Sequence, residues 1–415
     1  MTTLRIAWRN LGRNLKRSLL AIGAIALAQT TLVFVNGLMA GSYGQMLQTI
    51  TGPMIGHVQV HHRQWREERA VDLYIDHLDT MRAQMEGLPE VESVSPRVYS
   101  AVLAASGEKR DQPADAEPAM IVGVDVSAES AKGGLLELLP AKARPHGNTV
   151  ALGRVLANRL HVSEGQQLAV IGQDVDGFPA SDLFTIGAII ESPVDLVKTR
   201  GVVISMETAA EFLVMPNRAH EIVIRGSNVD RADGLAREVA ALPAVSGLEV
   251  LSWREAAPEF SRIIDMQGLF DLIFLAIVFV AAASGIANTS MMSTFERTRE
   301  FGMLLAIGLR PGRVVRMVLI ESIFLGLMGV LIGSLVGSGL VLLTAHTGIN
   351  YAALSGAEAG DIAFGGMSIS YIIYPRFELK HILFGLIAVT ITSALASTWP
   401  ATLAARLEPA KALRP

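Results

Sequence analysis

Three histidines near residue 60 are the first side chains that could do chemistry, because imidazole nitrogens commonly bind metal ions. His57, His61 and His62 lie in a run typical of a β-strand. In a strand, His57 and His61 are roughly 13 Å apart at about 3.3 Å per residue, and His62 points to the opposite face from His61. One ion cannot bind all three, so we predict ordinary strand residues and no metal site.

The sequence lacks the motifs of several common catalytic sites. It has no G-x-x-x-x-G-K-[ST] loop for nucleotide phosphates, no H-E-x-x-H and no G-x-S-x-G. It also has no cysteine, which excludes disulfides, thiol catalysis and cysteine-based metal sites. We therefore expect no catalytic residue and no cofactor in this chain. ATP and magnesium for energy-dependent work would be bound by a separate ATPase.

A short segment between two apolar runs could bind a protein partner. Its charged residues alternate in sign, its apolar residues could form a ridge that fits a cleft, and its glycines permit close approach and a bend. These candidates are Glu296, Arg297, Arg299 and Glu300, then Phe301, Leu304 and Leu305, and Gly302 and Gly308. The residues alone favour equally a site on which an ATPase pushes and a solvated turn anchored by lipid headgroups.

The composition indicates membrane segments beside a water-soluble part. The chain has 415 residues, 51% hydrophobic and 18% charged, with a net charge of −4 and a mean hydropathy of +0.40. Low charge with high hydrophobicity excludes a disordered chain and a nucleic-acid-binding protein. A chain buried wholly in lipid would be more apolar, so we expect a sizeable soluble domain as well.

Four charge-free runs are long enough to span a bilayer, which takes about 20 apolar residues. They are Ser18–Met46, Leu272–Phe295, Ser322–Ala345 and Ile382–Ala405. Charge-free runs of this length exceed ordinary core helices, and the first is too long for the apolar part of a secretory signal. We predict a membrane α-helical protein with four transmembrane helices and a large external mixed α/β domain between helices 1 and 2.

Basic residues predict the orientation, because loops rich in Lys and Arg stay in the cytoplasm. Residues 1–17 carry five basic residues and no acidic one, and the loop after the second run and the C-terminal tail are basic too. With four spans these segments share one side, which we predict to be cytoplasmic. The 225 residues of Leu47–Asp271 then lie outside.

The chain start is patterned like a helix lying on a membrane. Leu4, Trp8, Leu11 and Leu15 form one apolar stripe, with cations on the other side. An amphipathic helix held on the inner leaflet by anionic membrane lipids is favoured over a plain basic flank.

These observations divide the chain into nine segments. They are an amphipathic helix (1–17), TM1 with a stalk (18–46), a two-lobed α/β domain (47–262), a stalk with TM2 (263–295), a cytoplasmic segment (296–316), TM3 (317–345), an external loop (346–381), TM4 (382–405) and a cytoplasmic tail (406–415).

The external domain has the alternation and turn residues of a mixed α/β fold. The predicted strands are Gly56–His61, Val94–Ala105, Ala119–Val124, Gln167–Ile171, Phe184–Ile190, Gly201–Ser205, Glu221–Arg225 and Glu249–Trp253. The predicted helices are Leu78–Glu86, Leu152–Leu160, Met206–Leu213 and Asp230–Ala241. A break near Gly147 suggests two lobes.

Glycines recur at every fourth position of the third apolar run. Gly329, Gly333 and Gly337 would form a groove in which another helix backbone comes close. We predict a helix–helix contact there.

The order of one span, a large external domain and three spans resembles the FtsX/MacB/Lol-type ABC permeases (type VII exporters). Three stretches carry this resemblance. They are Ala7-Trp8-Arg9-Asn10-Leu11 at the start, the segment from Thr294 to Gly308, and Trp399-Pro400-Ala401 with Glu408-Pro409-Ala410-Lys411-Ala412-Leu413-Arg414 at the end.

The resemblance implies a multi-pass protein of the bacterial inner membrane with cytoplasmic termini and a periplasmic large domain. It also implies a dimer, with a second copy or a paralogue, above two ABC ATPase subunits, and favours coupling to them through residues 296–308. A periplasmic carrier or fusion protein would be a further partner.

Within the family, the lipoprotein-releasing branch is the most similar. Ser252-Trp253-Arg254-Glu255 and Ile121-Val122-Gly123-Val124-Asp125 resemble its external domain. The stretch Gly172–Asp182, where the C-type subunit has a hook that recruits a carrier, is short and acidic here. The loop His346–His381 is longer than the usual family connection.

We therefore expect the chain to extract lipoproteins, or another lipidated ligand, from the outer leaflet of the inner membrane. Candidate ligand-binding residues, chosen by position and apolar character, are Met39, Tyr43, Met46, Ile263, Met266 and Phe270. The alternatives are an FtsX-like regulator of a periplasmic hydrolase and export of periplasmic peptides or small molecules.

Overall fold

The computed structural model describes residues 15–106, 115–351, 362–369 and 372–406. Most of the predicted amphipathic helix, including Trp8, and the C-terminal motif Glu408–Arg414 lie outside the described residues. The chain divides into two compact units. The membrane unit comprises Met1–Tyr43, Asp265–Ala357 and Ile372–Pro415, and the large-domain unit comprises Gly44–Ile264 and Glu358–Tyr371.

Four helices are long and apolar enough to cross a membrane. The first to fourth long helices are Leu15–Thr49, Gln267–Glu296, Pro311–Thr347 and Leu379–Ala405. Each contains one predicted run, which confirms the predicted fold class. The third begins further upstream than its apolar run, because Pro311 has the fixed φ that suits the first helical position.

The four long helices share an apolar core in the membrane unit. Buried side chains of this core come from every helix: Ile25 and Leu32 from the first, Val278, Ala282 and Ile286 from the second, Val330 from the third and Val389 from the fourth.

The third long helix presents its glycine row to the first, which is the close contact that the spacing predicts. A Cβ atom at Gly329 would lie 2.7 Å from the Cβ of Ile25, and one at Gly333 would collide with the carbonyl oxygen of Ala26. The Thr30 hydroxyl donates to the Gly333 carbonyl at 3.1 Å. Because lipid provides no hydrophobic force between helices, such close packing and buried hydrogen bonds hold them together.

The large domain is built on a nine-stranded mixed sheet. In chain order its strands are β1 Val58–His61, β2 Val91–Ser106, β3 Ala116–Val124, β4 Thr149–Gly153, β5 Gln167–Gln173, β6 Pro179–Ile190, β7 Gly201–Ser205, β8 Glu221–Gly226 and β9 Glu249–Ser252. The order across the sheet is β3-β7-β4-β6-β5-β2-β8-β1-β9, and β2 also pairs with β3. β2 has 16 residues, enough to pair with β8 at one end and with β3 and β5 at the other.

Eight strands lie where the sequence predicts them, and β4 is the one it missed. The predicted helix Leu152–Leu160 begins too early, since the helix is Arg154–Arg159 and Leu152 lies in β4. β4 runs directly into this helix, with Gly153 as the helix N-cap, so its last residues belong to the same sequence run as the helix. It follows Gly147 and pairs with β6 and β7, so the sheet continues across the point where two lobes are predicted.

Both faces of the sheet are covered by apolar side chains. Neighbouring strand residues point to opposite faces, and accordingly Ile121 belongs to one buried cluster and Val122 to another. The short helices of the large domain and the second stalk are Trp65–Glu68, Leu78–Glu86, Val126–Glu129, Arg154–Arg159, Asp195–Arg200, Met206–Phe212, Ala232–Ala240, Trp253–Ala256 and Pro258–Asp265.

The external loop after the third long helix contains two small antiparallel pairs. Ile349–Asn350 pairs with Ile372–Ile373 in the membrane unit, and Ile362–Phe364 pairs with Met367–Ile369 in the large-domain unit.

Replacing Gly333 by valine should destabilise the membrane unit, because the added atoms must displace the first long helix. Overpacking of this kind costs about 1–3 kcal/mol. Thermal unfolding of the purified chain in detergent measures the loss. Gly339→Val is the matched control, since a Cβ at Gly339 meets nothing within 4 Å. Equal effects of the two substitutions would contradict the helix contact.

Candidate functional site

The predicted coupling segment contains a short helix, Thr298–Ala306, between the second and third long helices. Phe301 is 1% exposed and lies in an apolar cluster with Val314 of the third long helix and Ala401 of the fourth. Leu304 and Leu305 pack partly buried against this cluster. The interpretation of these three residues as a ridge for a partner's cleft is therefore wrong for Phe301, because the chain's own helices cover its ring.

Arg297 fastens this coupling helix to its surroundings. Its Nε donates to Glu300 Oε2 at 3.0 Å, and its Nη1 donates to Glu321 Oε2 of the third long helix at 3.0 Å. Its guanidinium carbon lies 4.9 Å from the centre of the Phe301 ring. The Arg297 side chain is only 12% exposed, so these charge-assisted bonds are stronger than those of a surface pair. Arg297 thus positions the coupling helix against the third long helix.

Gly308 ends the coupling helix in a backbone conformation that favours glycine. Its φ is +93°, its N–H donates to the Leu305 carbonyl, and the N–H of Leu309 donates to the Leu304 carbonyl. This pair of bonds is the Schellman motif, which satisfies the last carbonyls of a helix. The predicted bend at Gly308 is therefore a helix stop.

The outward surface of the segment combines charged and apolar side chains. Glu296 and Arg299 are exposed, and their contact with a partner stays a prediction. Met303 and Ile307 are 56% and 76% exposed. Sequence reasoning missed these two because it could not tell which side of the helix the third and fourth long helices cover. Gly302 is buried with Phe301.

The six candidate ligand-binding residues are divided between the two compact units. Met46 and Ile263 pack partly buried against one apolar cluster of the large-domain unit. Met39 and Tyr43 are half-buried in the first long helix, whereas Met266 and Phe270 are 49% and 38% exposed. The structure thus brings two of the six to a shared cluster.

A second site, missed in the sequence, lies where the first long helix enters the large domain. The helix continues into a π-helical turn, Ile50–Met54. Arg225 Nε donates to the Gly52 carbonyl at 3.1 Å, and Arg97 Nη1 donates to the Met54 carbonyl at 2.9 Å. Carbonyls at a helix end need such donors, and cations are favourable there. We name Ile50–Met54 with Arg97, Glu129 and Arg225 the stalk junction.

Glu129 forms ion pairs with both arginines of the stalk junction, and Glu221, whose Oε1 lies 3.9 Å from Arg97 Nη1, adds a second negative charge. Arg225 Nη2 lies 2.6 Å from Glu129 Oε2, and Arg97 Nε lies 2.8 Å from Oε1. Glu129 also accepts from the Ser95 hydroxyl at 2.6 Å and from the Leu135 N–H at 2.7 Å. All three charged side chains are at most 5% exposed. An ion cluster buried so fully is stable only when its charges are paired and hydrogen-bonded, as they are here.

The surroundings keep Glu129 ionised. Burial by itself would favour the neutral acid, but the charges of Arg97 and Arg225 and the hydrogen bonds from Ser95 and Leu135 outweigh it. The pKa of Glu129 falls to about 2 as a result. A signal for this site exists in the sequence, since Arg97 and Arg225 interrupt apolar strands, but it does not identify their partner.

His57 and His61 contact different partners. His57 Nδ1 accepts from the Gly226 N–H at 2.9 Å, and burial lowers the pKa of His57. His61 Nδ1 lies 3.5 Å from Glu249 Oε2. Within the part of the chain that the structure describes, no group of three or more His, Asp or Glu residues is arranged to hold a metal ion.

Two family models match the chain. Residues 18–242 match the MacB-like periplasmic core domain, and residues 272–409 match the FtsX-like permease C-terminal region. Together they include the stalk junction and the coupling helix.

Three relatives illustrate the similarity. The chain is 23% identical to the lipoprotein-releasing system transmembrane protein LolC of Xylella fastidiosa (strain 9a5c), over 79% of this chain and 78% of LolC. It is 36% identical to the ABC transporter permease YtrF of Bacillus subtilis (strain 168), over 28% of this chain and 27% of YtrF. It is also 36% identical to the macrolide export ATP-binding/permease protein MacB of Chlorobaculum tepidum, over 31% of this chain and 16% of MacB. The matches to YtrF and MacB thus span less than a third of those proteins.

Replacing Arg297 by alanine should loosen the coupling helix. Two charge-assisted hydrogen bonds are lost, each worth about 1.5–3 kcal/mol. Hydrogen exchange of Thr298–Ala306 in the full-length chain should therefore become faster. Arg299→Ala, at an exposed position of the same helix, should leave the exchange unchanged. Equal exchange in the two variants would contradict the positioning role of Arg297.

Replacing Glu129 by glutamine should destabilise the large domain at neutral pH. Breaking a buried ion pair on one side costs about 3–5 kcal/mol. Folding lowers the pKa of Glu129 from 4.5 to about 2, so its stabilisation is complete above pH 4.5 and is lost as the pH falls towards 2. The variant should lose less stability than the wild type across that window.

Thermal unfolding of the full-length chain, followed by tryptophan fluorescence between pH 7 and pH 2, measures both effects. Glu207→Gln, at an exposed position of the same domain, is the control and should behave like the wild type. A Glu129 variant as stable as this control at pH 7 would refute the account of the stalk junction.

Proposed function

The chain belongs to the type VII family of ABC transporter permeases, with a MacB-like periplasmic core domain and an FtsX-like C-terminal region, and on that premise we propose what it moves. We propose that it extracts lipoproteins, or another lipidated ligand, from the outer leaflet of the inner membrane for transfer to the outer membrane. ATP hydrolysis by partner subunits would drive this extraction.

The observation that carries the proposal is the extent of the similarity to LolC. It covers 79% of this chain and 78% of a protein whose name assigns it to a lipoprotein-releasing system. The similarity thus extends over both the large domain and the membrane region.

In the proposed arrangement the coupling helix faces the cytoplasm, with both termini on that side and the large domain in the periplasm. This orientation follows from the basic residues of 1–17 and of the loop after the second long helix. ABC ATPase subunits would contact the exposed residues Arg299, Met303 and Ile307. A second permease copy or a paralogue would complete the dimer.

Closing of the ATPases on ATP would then displace the coupling helix, and the first and second long helices would transmit that motion to the periplasmic domain. The ligand would not cross the membrane. An acyl chain suits the exposed apolar side chains of Met266 and Phe270, because lipid-like ligands bind to flexible apolar surfaces.

One alternative substrate has direct support in the comparisons. The name of the MacB relative describes macrolide export, so export of small molecules or peptides from the periplasm is the second candidate. An FtsX-like regulator of a periplasmic hydrolase is a third outcome that the same experiment separates.

The test is purification of the chain with its partner ATPase in detergent, followed by mass spectrometry of everything that copurifies. We expect acylated proteins, and we expect their addition to change the rate of ATP hydrolysis. Arg299→Glu should retain the bound ligand but lose ATP-dependent release, because only the contact with the ATPase is altered. This position is preferable to Glu300, whose substitution would also break the bond to Arg297.

A complex that contains no acylated protein and hydrolyses ATP at a rate unaffected by lipoprotein would overturn the proposed substrate. A copurifying hydrolase would instead support the regulator, and a response to small amphiphiles would support export.

A further inference from the structure

The external loop contains a β-hairpin to which the proposed function assigns no role. Its strands, Ile362–Phe364 and Met367–Ile369, are joined by Gly365 and Gly366. Both glycines have positive φ, +57° and +84°. This is the two-residue turn that holds antiparallel strands in register, and it favours glycine at both positions.

The hairpin is hydrogen-bonded to the large domain. The Ser368 N–H donates to the Pro193 carbonyl at 2.8 Å, and the Asp195 N–H donates to the Gly366 carbonyl at 2.9 Å. These two bonds flank an antiparallel bridge between Val194 and Met367. The hairpin therefore adds a short strand to the segment before the helix Asp195–Arg200.

The tip of the hairpin packs on both stalks. The two stalks are the segments Ile50–Met54 and Pro258–Asp265. Met367 is 2% exposed and shares a cluster with Ile50 of the first stalk and Phe260 of the second. The Phe364 ring meets the Phe260 ring edge-on, with centres 5.6 Å apart. A Cβ at Gly365 would collide with the Phe260 ring, so the glycine permits this contact.

The other half of the loop is fastened to the membrane unit. The Arg376 N–H donates to the Gly37 carbonyl of the first long helix at 2.8 Å. A Cβ at Gly41 would collide with the Tyr374 carbonyl, so the loop backbone lies directly on the helix there. Only residues 370 and 371 separate Ile369 of the hairpin from Ile372, a stretch that reaches roughly 11 Å at most.

We propose that this hairpin is a third mechanical link between the membrane helices and the periplasmic domain, beside the two stalks. It ties the start of the fourth long helix to the cluster formed by the stalk ends. The inference rests on the proposed function, since it concerns how ATP-driven motion reaches the domain. The link stays docked throughout the cycle and carries displacement of the third and fourth long helices.

Disulfide trapping between two introduced cysteines tests the docked geometry. The chain has no cysteine of its own, so no other disulfide can form within it. Val194 and Met367 are a non-hydrogen-bonded antiparallel pair. The Cα atoms of such a pair are about 4.5 Å apart, a distance that a disulfide can bridge. Val194→Cys with Met367→Cys should form an intramolecular disulfide under mild oxidation of the full-length chain in lipid. The single-cysteine chains are the controls. Absence of the disulfide would overturn the proposal.

Variants that detach the hairpin from Phe260 test whether it transmits motion to the large domain. Gly365→Val should lift it off Phe260 and reduce the disulfide yield of the cysteine pair. The matched control is Gly177→Val, at another positive-φ turn where a Cβ meets nothing within 4 Å. Phe364→Ala is a second, milder variant that removes only the ring contact. A thermal unfolding curve for each chain shows that it is folded.

The readout is hydrogen exchange of Ile50–Met54 and Pro258–Asp265 in the complex with the partner ATPase, with and without ATP. We expect an ATP-dependent change in the wild type and in Gly177→Val, and its loss in Gly365→Val, with ATP hydrolysis retained. If both hairpin variants show the same ATP-dependent change in hydrogen exchange as the wild type, the hairpin is not a mechanical link. The proposed function would be unaffected by that result. A wild type without any response would instead count against the proposed function.

Discussion

The carbonyl groups that end the first long helix need hydrogen-bond donors, and this requirement organises the base of the large domain. Arg97 from β2 and Arg225 from β8 supply the donors to Met54 and Gly52. Two guanidinium groups buried so deeply need counter-ions. Glu129 pairs with both, and Glu221 beside Arg97 adds a second negative charge. Glu129 in turn fixes the loop that follows it by accepting from the Leu135 N–H. The end of one helix therefore sets the position of three segments that are distant in the sequence.

The elements of this fold follow from sequence patterns wherever those patterns are local. Four charge-free runs predict the long helices, and strand-like runs separated by turn residues predict eight of the nine strands. β4 is missed because it passes into the helix Arg154–Arg159 without an intervening loop, so its end is assigned to the helix. The glycine row of the third long helix is equally local, and its contact with the first follows from a four-residue period. Local periodicity thus determines which elements form and which faces they bury.

The side chains that position the candidate site depend on distant partners, and the sequence conceals those. The location of the coupling segment is predictable, but Phe301 is covered by residues from the third and fourth long helices. The sequence around Arg297 is that of a surface cation, because its partner Glu321 is 24 residues away. The same holds for Arg225 and Glu129, which are 96 residues apart. A charged residue in an apolar strand indicates a buried ion pair, but only the folded structure identifies the residue that carries the opposite charge.

A single apolar cluster joins the chain segments that lead from the large domain towards the membrane. It contains Ile50 from the first stalk, Phe260 from the second and Met367 from the hairpin. Protein cores are close-packed and barely compressible, so a displacement of one member must shift the others or break the packing. The buried charges of the stalk junction oppose such a break in the packing, because separating Arg225 from Glu129 would leave the buried guanidinium of Arg225 without its counter-ion. Packing and electrostatics together therefore favour movement of the stalk ends and the hairpin as one body, which is the property that the proposed mechanical link would require.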